Sequence, residues 1–186
     1  LKEFALLYTI KKMIYTYREA LKKFGNERQV LKAVKDKEIF LISRGFYSDN
    51  RGFDESYVTK KYPNAIFTGR SAFYHYGLTD TPPEVFEVAT KIGSSRIKDK
   101  RITQTFQIER IFEKGKVKDE AINIYDLERT LIELFRFRKS YSYDYFKEVL
   151  NSYRRRADEI DFVKVARYLK DMTYGERLLR EIREAF

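Results

Sequence analysis

The sequence predicts an α+β chain in two parts: a helical front closed by a short hairpin, then a small β-sheet followed by about four terminal helices. Three observations predict this. Apolar residues near the start recur at three- and four-residue steps. The middle of the chain runs in short β-rich stretches punctuated by Gly and Pro. From Asp126 onward the helical period returns and holds to the end. With 186 residues, 43% of them apolar, the chain has material for one domain or two small ones.

At the front, Phe4, Leu7, Tyr8, the Lys11 stem and Ile14 or Tyr15 form the stripe of a first helix. Thr16-Tyr17-Arg18-Glu19 reads as a capping box that starts a second, with Ala20, Leu21 and Phe24 inward. Gly25 suits the left-handed position past a helix end, and Asn26 is a natural cap for a third helix from Glu27 to about Asp36. The apolar face expected there is Val30, Leu31 and Val34. Arg28, Lys32 and Lys35, spaced i, i+4, i+7, share the other face, with Gln29 beside them. Glu38 to Ser43, the break at Arg44-Gly45 and Phe46 to Ser48 then read as a hairpin. Helix, helix, helix, hairpin is the order of a winged helix-turn-helix, expected over residues 1–48.

Residues 49–57 are polar and carry Gly52, as a linker would, and residues 58–186 are expected to form the C-terminal α+β domain. Tyr57–Lys61 predicts a short helix stopped at Pro63, Ala65–Phe67 a brief buried strand, and Thr68 a cap for a helix over Arg70–Tyr76 ended by Gly77. Val85–Ala89, one or two segments within Ile102–Phe112, and Ala121–Tyr125 predict strands. The terminal helices start at Asp126, Ser142, Asp161 and just after Tyr174-Gly175.

Charge and composition narrow the functional classes. Lys and Arg number 38 against 28 acidic residues, a net +10 that favours polyanionic partners. The excess is patchy: residues 1–48 and 91–118 each carry +6, and residues 129–156 carry +5. There is no cysteine and a single histidine, so disulfides, thiolate sites and a multi-His metal centre within one chain are excluded. No metal or cofactor is expected. No run of about 18 apolar residues predicts a membrane span, and the start lacks a secretory pattern; the absence of cysteine fits a reducing cytosol, and the expected location is the cytoplasm. Lys91-Ile92-Gly93-Ser94-Ser95-Arg96 lacks phosphate-loop spacing. Glu84, Glu87 and Lys91 are the nearest approach to a metal-dependent nuclease set, and their spacing is wrong for it.

Four segments in order carry a resemblance: Ile42-Ser43-Arg44-Gly45-Phe46-Tyr47-Ser48; Lys61-Tyr62-Pro63-Asn64-Ala65-Ile66-Phe67; Ser71-Ala72-Phe73-Tyr74 with Gly77-Leu78-Thr79-Asp80; and Ile124-Tyr125-Asp126-Leu127-Glu128-Arg129-Thr130. In these the chain resembles the AbiEi family, antitoxin-type regulators of abortive-infection (type IV) toxin–antitoxin systems used in phage defence. The resemblance implies a winged helix that binds inverted repeats in its own promoter as a repressor. It also implies a C-terminal domain that counters a nucleotidyltransferase-like toxin without a stable complex. Many relatives place His directly before the Gly of the third segment; here Tyr76 stands there and His75 precedes it, so that histidine's role does not carry over.

The expected DNA contacts are Arg28, Gln29, Lys32 and Lys35 on the third helix, Arg44 on the hairpin, and Lys22, Lys23 and Lys37 toward phosphate. Arg can grip guanine with two bonds, Gln can grip adenine, and Lys neutralises phosphate. Lys98, Lys100, Arg101, Arg136, Arg138, Arg154 and Arg155 could form a second anionic-ligand surface, with Lys139 and Arg156 nearby. Asp126, Glu128 and Arg129 are expected to cap, favour the helix dipole and lock sheet to helices. His75 is expected to be packed, with no evident carboxylate partner at catalytic spacing, and no catalytic residue is assigned. The chain is therefore expected to be a non-enzymatic antitoxin and autorepressor, binding double-stranded DNA with a second copy of itself possible there. The alternative is a DNA-binding regulator, or a protein-interaction module, without antitoxin activity.

Overall fold

The computed structural model describes residues 13–186 except Gly52 and Ala121, and divides the chain into two compact units that meet after Pro63. Phe4, Leu7, Tyr8 and Lys11 of the expected first helix lie outside the described residues. Its expected end is a strand instead, β1 (Ile14–Thr16). Ile14 and Tyr15 are both buried, and their β-branched and aromatic side chains suit the antiparallel pairing that β1 makes with Phe46–Ser48.

The rest of the first unit follows from its caps. Helix α1 (Tyr17–Phe24) starts at the capping box: the Glu19 N–H donates to Thr16 Oγ1 at 3.3 Å, and the Thr16 N–H donates to Glu19 Oε2 at 2.7 Å. Gly25 takes φ 96°, a conformation that a side chain disfavours, and turns the chain into α2 (Glu27–Lys35). Asn26 caps α2 by accepting the Gln29 N–H at 3.0 Å. Strands β2 (Phe40–Ser43) and β3 (Phe46–Ser48) form the hairpin, bulged between Leu41 and Ser43, and complete a sheet of order β1-β3-β2. Ala20, Val30, Ala33, Ile39, Tyr15 and Tyr47 make the core.

The expected boundary at residue 48 and linker at 49–57 are displaced. Asp54 caps α3 (Glu55–Lys61), and α3 belongs to the first unit. The Lys60 ammonium donates to the Ile14 carbonyl of β1 and, at 2.9 Å, to Glu19 in α1. The Tyr57 hydroxyl donates to Ser43 of β2 at 2.9 Å.

The second unit holds a mixed five-stranded sheet of order β6-β5-β4-β8-β7. Its strands are β4 (Ile66–Phe67), β5 (Phe86–Lys91), β6 (Ile102–Gln107), β7 (Lys116–Asp119) and β8 (Ile122–Tyr125). Helix α4 (Gly69–His75) follows β4; Thr68 stands at its N-cap, but its hydroxyl makes no capping bond. The stretch expected as strand to Phe112 ends in one helical turn, α5 (Glu109–Phe112). Helices α6 (Leu127–Arg136), α7 (Tyr143–Arg155), α8 (Phe162–Leu169) and α9 (Gly175–Glu184) close the chain as expected. They share a core with α4 that includes Phe73, Leu131, Leu134, Phe146, Val149, Val165, Leu178 and Ile182. No described helix is long and apolar enough to cross a membrane.

Candidate nucleic-acid interface

Helix α2 is anchored from one side. Val30 and Ala33 are buried and Val34 packs beside them, so Arg28, Lys32 and Lys35 project the other way and are exposed. Together with Asn26, Gln29 and Leu31 they line a shallow depression of about 560 Å³. Leu31, expected inward, is instead 60% exposed. The reason is angular: at 100° per residue, Val30, Ala33 and Val34 span the inner face and leave Leu31 on its border.

The other expected contacts differ in how they are held. Gln29 is exposed, but its carboxamide leans on the turn: a Cβ at Gly25 would stand 2.5 Å from Gln29 Oε1. Lys23 is already engaged, donating to the Tyr15 hydroxyl at 2.6 Å with its ammonium 4.4 Å from the Tyr15 ring centroid. Lys22 is exposed on α1, and Lys37 is exposed just past α2 with φ 62°. Arg44 is exposed at the hairpin turn, and the neighbouring Gly45 carbonyl accepts the Tyr17 N–H at 2.8 Å, which ties the turn to the first residue of α1.

The expected second basic surface is largely committed to its own fold. Arg101 pairs with Asp99 through two bonds of 2.9 Å. Arg154 donates to the Ala185 carbonyl at 2.6 Å, and Arg155 to Ser152 at 2.8 Å. Arg156 pairs with Glu159 at 2.7 Å and donates to the Tyr76 carbonyl at the same distance. Arg136 donates to Glu133 at 2.6 Å. Lys98, Lys100, Arg138 and Lys139 are exposed, and Arg138 lies 4.7 Å from the Phe146 ring centroid. Arg136, Arg138 and Lys139 come together around one cleft with Arg177, whereas Lys98, Lys100, Arg101, Arg154 and Arg155 do not line it.

The acidic motif of α6 is structural machinery. Asp126 caps the helix by accepting the Arg129 N–H at 2.8 Å, and also accepts the Tyr168 hydroxyl at 2.8 Å. Burial, then that bond to Asp126, pushes Tyr168 up to about 12. Lys164 bridges Glu128 at 2.8 Å and Asp126 at 3.1 Å. Burial opposes its charge, but the two carboxylates outweigh that and hold Lys164 above its ordinary value. Arg129 is fully buried. It donates to Glu133 at 2.9 Å and to the Ile111 carbonyl of α5 at 2.9 Å, and its guanidinium lies 4.6 Å from the Tyr125 ring centroid of β8.

His75 has a carboxylate partner that sequence spacing did not reveal: Asp119, in β7, lies 2.8 Å from its Nε2. Sequence distance hides this pair because it is made by docking α4 near the sheet. Glu87 is occupied by Arg70, accepting its N–H and guanidinium at 2.8 Å each, and Lys91 is paired with Glu109. Among the described residues no group of three or more His, Cys, Asp or Glu could hold a metal. No protein-family model matches the chain, and no curated protein matches it.

Proposed function

We propose that the first unit is a winged helix-turn-helix that binds double-stranded DNA, with α2 in the major groove and the β2–β3 hairpin as the wing. The observation that carries this reading is the exposed, outward set Arg28, Lys32 and Lys35 on a helix fixed at its start by the Gly25 turn and the Asn26 cap. Arg44 on the hairpin and Lys22 on α1 add cations suited to phosphate. Phosphate neutralisation supplies most of the affinity. With roughly six phosphates engaged, the logarithm of the binding constant falls against log salt with a slope near −5.

The same reading makes the protein an antitoxin and autorepressor, supported by the four AbiEi-like segments. Its operator is a pair of inverted promoter repeats, and its second unit counters a nucleotidyltransferase-like toxin. A mobility shift on the upstream promoter tests the DNA half. Arg28→Ala and Lys32→Ala are each expected to weaken retardation; unchanged retardation in both would remove α2 from this role. Co-expression with a neighbouring nucleotidyltransferase tests the other half: rescue of growth supports it, and undiminished toxicity refutes it.

A further inference from the structure

Arg28, Lys32 and Lys35 account for attraction to a polyanion, but charge attraction by itself carries no base sequence. A discriminating element has to reach the base edges. On α2 the side chain that its own fold leaves unexplained is Leu31. It is 60% exposed, while Val30 and Ala33 satisfy the core beneath the helix. A leucine left in water adds nothing to the fold that a lysine or glutamate would not, since helix propensity is nearly the same.

Its surroundings define what could cover it. By helical geometry Leu31 stands about 40° from Lys35 and about 60° from Arg28. It lines the same depression as Asn26, Arg28, Gln29, Lys32 and Lys35, where it is the one aliphatic side chain among amides and cations. A matching surface must therefore present a small apolar group between negative walls. The major groove does so where a thymine C5 methyl projects from the floor between two phosphate backbones.

We propose that Leu31 is a base-reading residue that packs on the C5 methyl of a thymine, so the preferred duplex holds thymine at one fixed position. This rests on α2 docking in the major groove. It goes beyond that docking by naming the chemical feature recognised and the residue that recognises it.

The test uses the full chain. The tightest-binding duplex is recovered from a random-core DNA pool, and each of its thymines is replaced in turn by uracil, which removes the methyl and leaves base pairing intact. At one position the substitution is expected to weaken wild-type binding about four-fold, the factor for one buried methyl. Leu31→Ala should lose at least that factor on the unmodified duplex and should ignore uracil at that position. Its exposure leaves folding intact, which a thermal melt verifies. The proposal is overturned if no uracil weakens wild-type binding, or if Leu31→Ala stays sensitive at the same position. It is equally overturned if Leu31→Ala lowers the sedimentation mass of the free protein, which would mean that a second copy covers the residue. Arg28→Ala and Lys32→Ala are measured on the same duplex. Undiminished binding by both refutes the groove docking itself, whereas loss in both with a silent uracil scan refutes the role of Leu31 alone.

Discussion

Glu133→Gln should damage the second unit far more than a single neutralised carboxylate normally does. Glu133 and Arg129 are both completely buried, joined by a 2.9 Å bond from Nε and a 2.8 Å approach of Nη2 to the same oxygen, Oε1. Among the described residues Nη2 finds no hydrogen-bond acceptor and Oε2 accepts no bond, so charge rather than a full set of bonds holds the pair. Glutamine keeps an oxygen for the Nε bond but removes the anion, so the Arg129 cation stays out of water with only neutral company: that amide, the Ile111 carbonyl and the Tyr125 ring. Breaking one side of such a pair typically costs about 3–5 kcal/mol. The retained carbonyl and ring favour the lower end, roughly 3 kcal/mol, or a melting shift on the order of 10 °C. The comparison variant is Arg136→Ala: Arg136 meets the same oxygen at 2.6 Å but is 23% exposed, so its loss should cost about 1 kcal/mol. Urea unfolding followed by circular dichroism measures both. If Glu133→Gln is no more destabilising than Arg136→Ala, the argument about buried charge is wrong.

Asn26→Ala should destabilise the first unit by about 1 kcal/mol in urea unfolding, because the Gln29 N–H loses its cap. Gly69→Ala is expected to cost more, about 2 kcal/mol or above by thermal melting. It combines φ 54° with a Cβ 1.9 Å from Glu87 Oε2, so the carboxylate that holds Arg70 must move. Glu19 supplies a pH dependence. Slight burial works against its charge, but the Thr16 N–H, the Lys60 ammonium and the Thr16 hydroxyl together hold it below the ordinary glutamate value. A lowered folded-state value means stability that is present above the ordinary value and lost as pH falls through the folded one. Wild-type melting should therefore drop further than that of Glu19→Gln between about pH 5 and pH 3, a difference kept small by the exposure of both Glu19 and Lys60. Equal drops would exclude Glu19 as the cause.

Local signals in the sequence located most elements. The Thr16–Glu19 capping box, Gly25, Asn26 and the Arg44-Gly45 break act over a few residues, and each stands where that chemistry puts it. What the sequence concealed was set by tertiary contact. Ile14 and Tyr15 continue a helical period, yet pairing with β3 makes them strand. Lys116–Asp119 is too charged to read as strand, but as the outer strand β7 it pairs on one side only, with β8. In the candidate interface, Arg28, Lys32 and Lys35 were legible from their spacing alone. The engagement of Lys23 by Tyr15, the tilt of Gln29 over Gly25 and the pairing of Arg101, Arg154 and Arg155 were not, because each depends on a neighbour that spacing does not identify.

Lys60 holds two otherwise separate things at once, the carbonyl of a β1 residue and the carboxylate that completes the α1 cap. The front unit is thus buckled shut by its own last helix. Any recombination event that moved the opening residues onto another body and cut at the hairpin would leave the buckle behind, so the portable piece of this protein is longer than its helix pair and hairpin, and ends at Pro63.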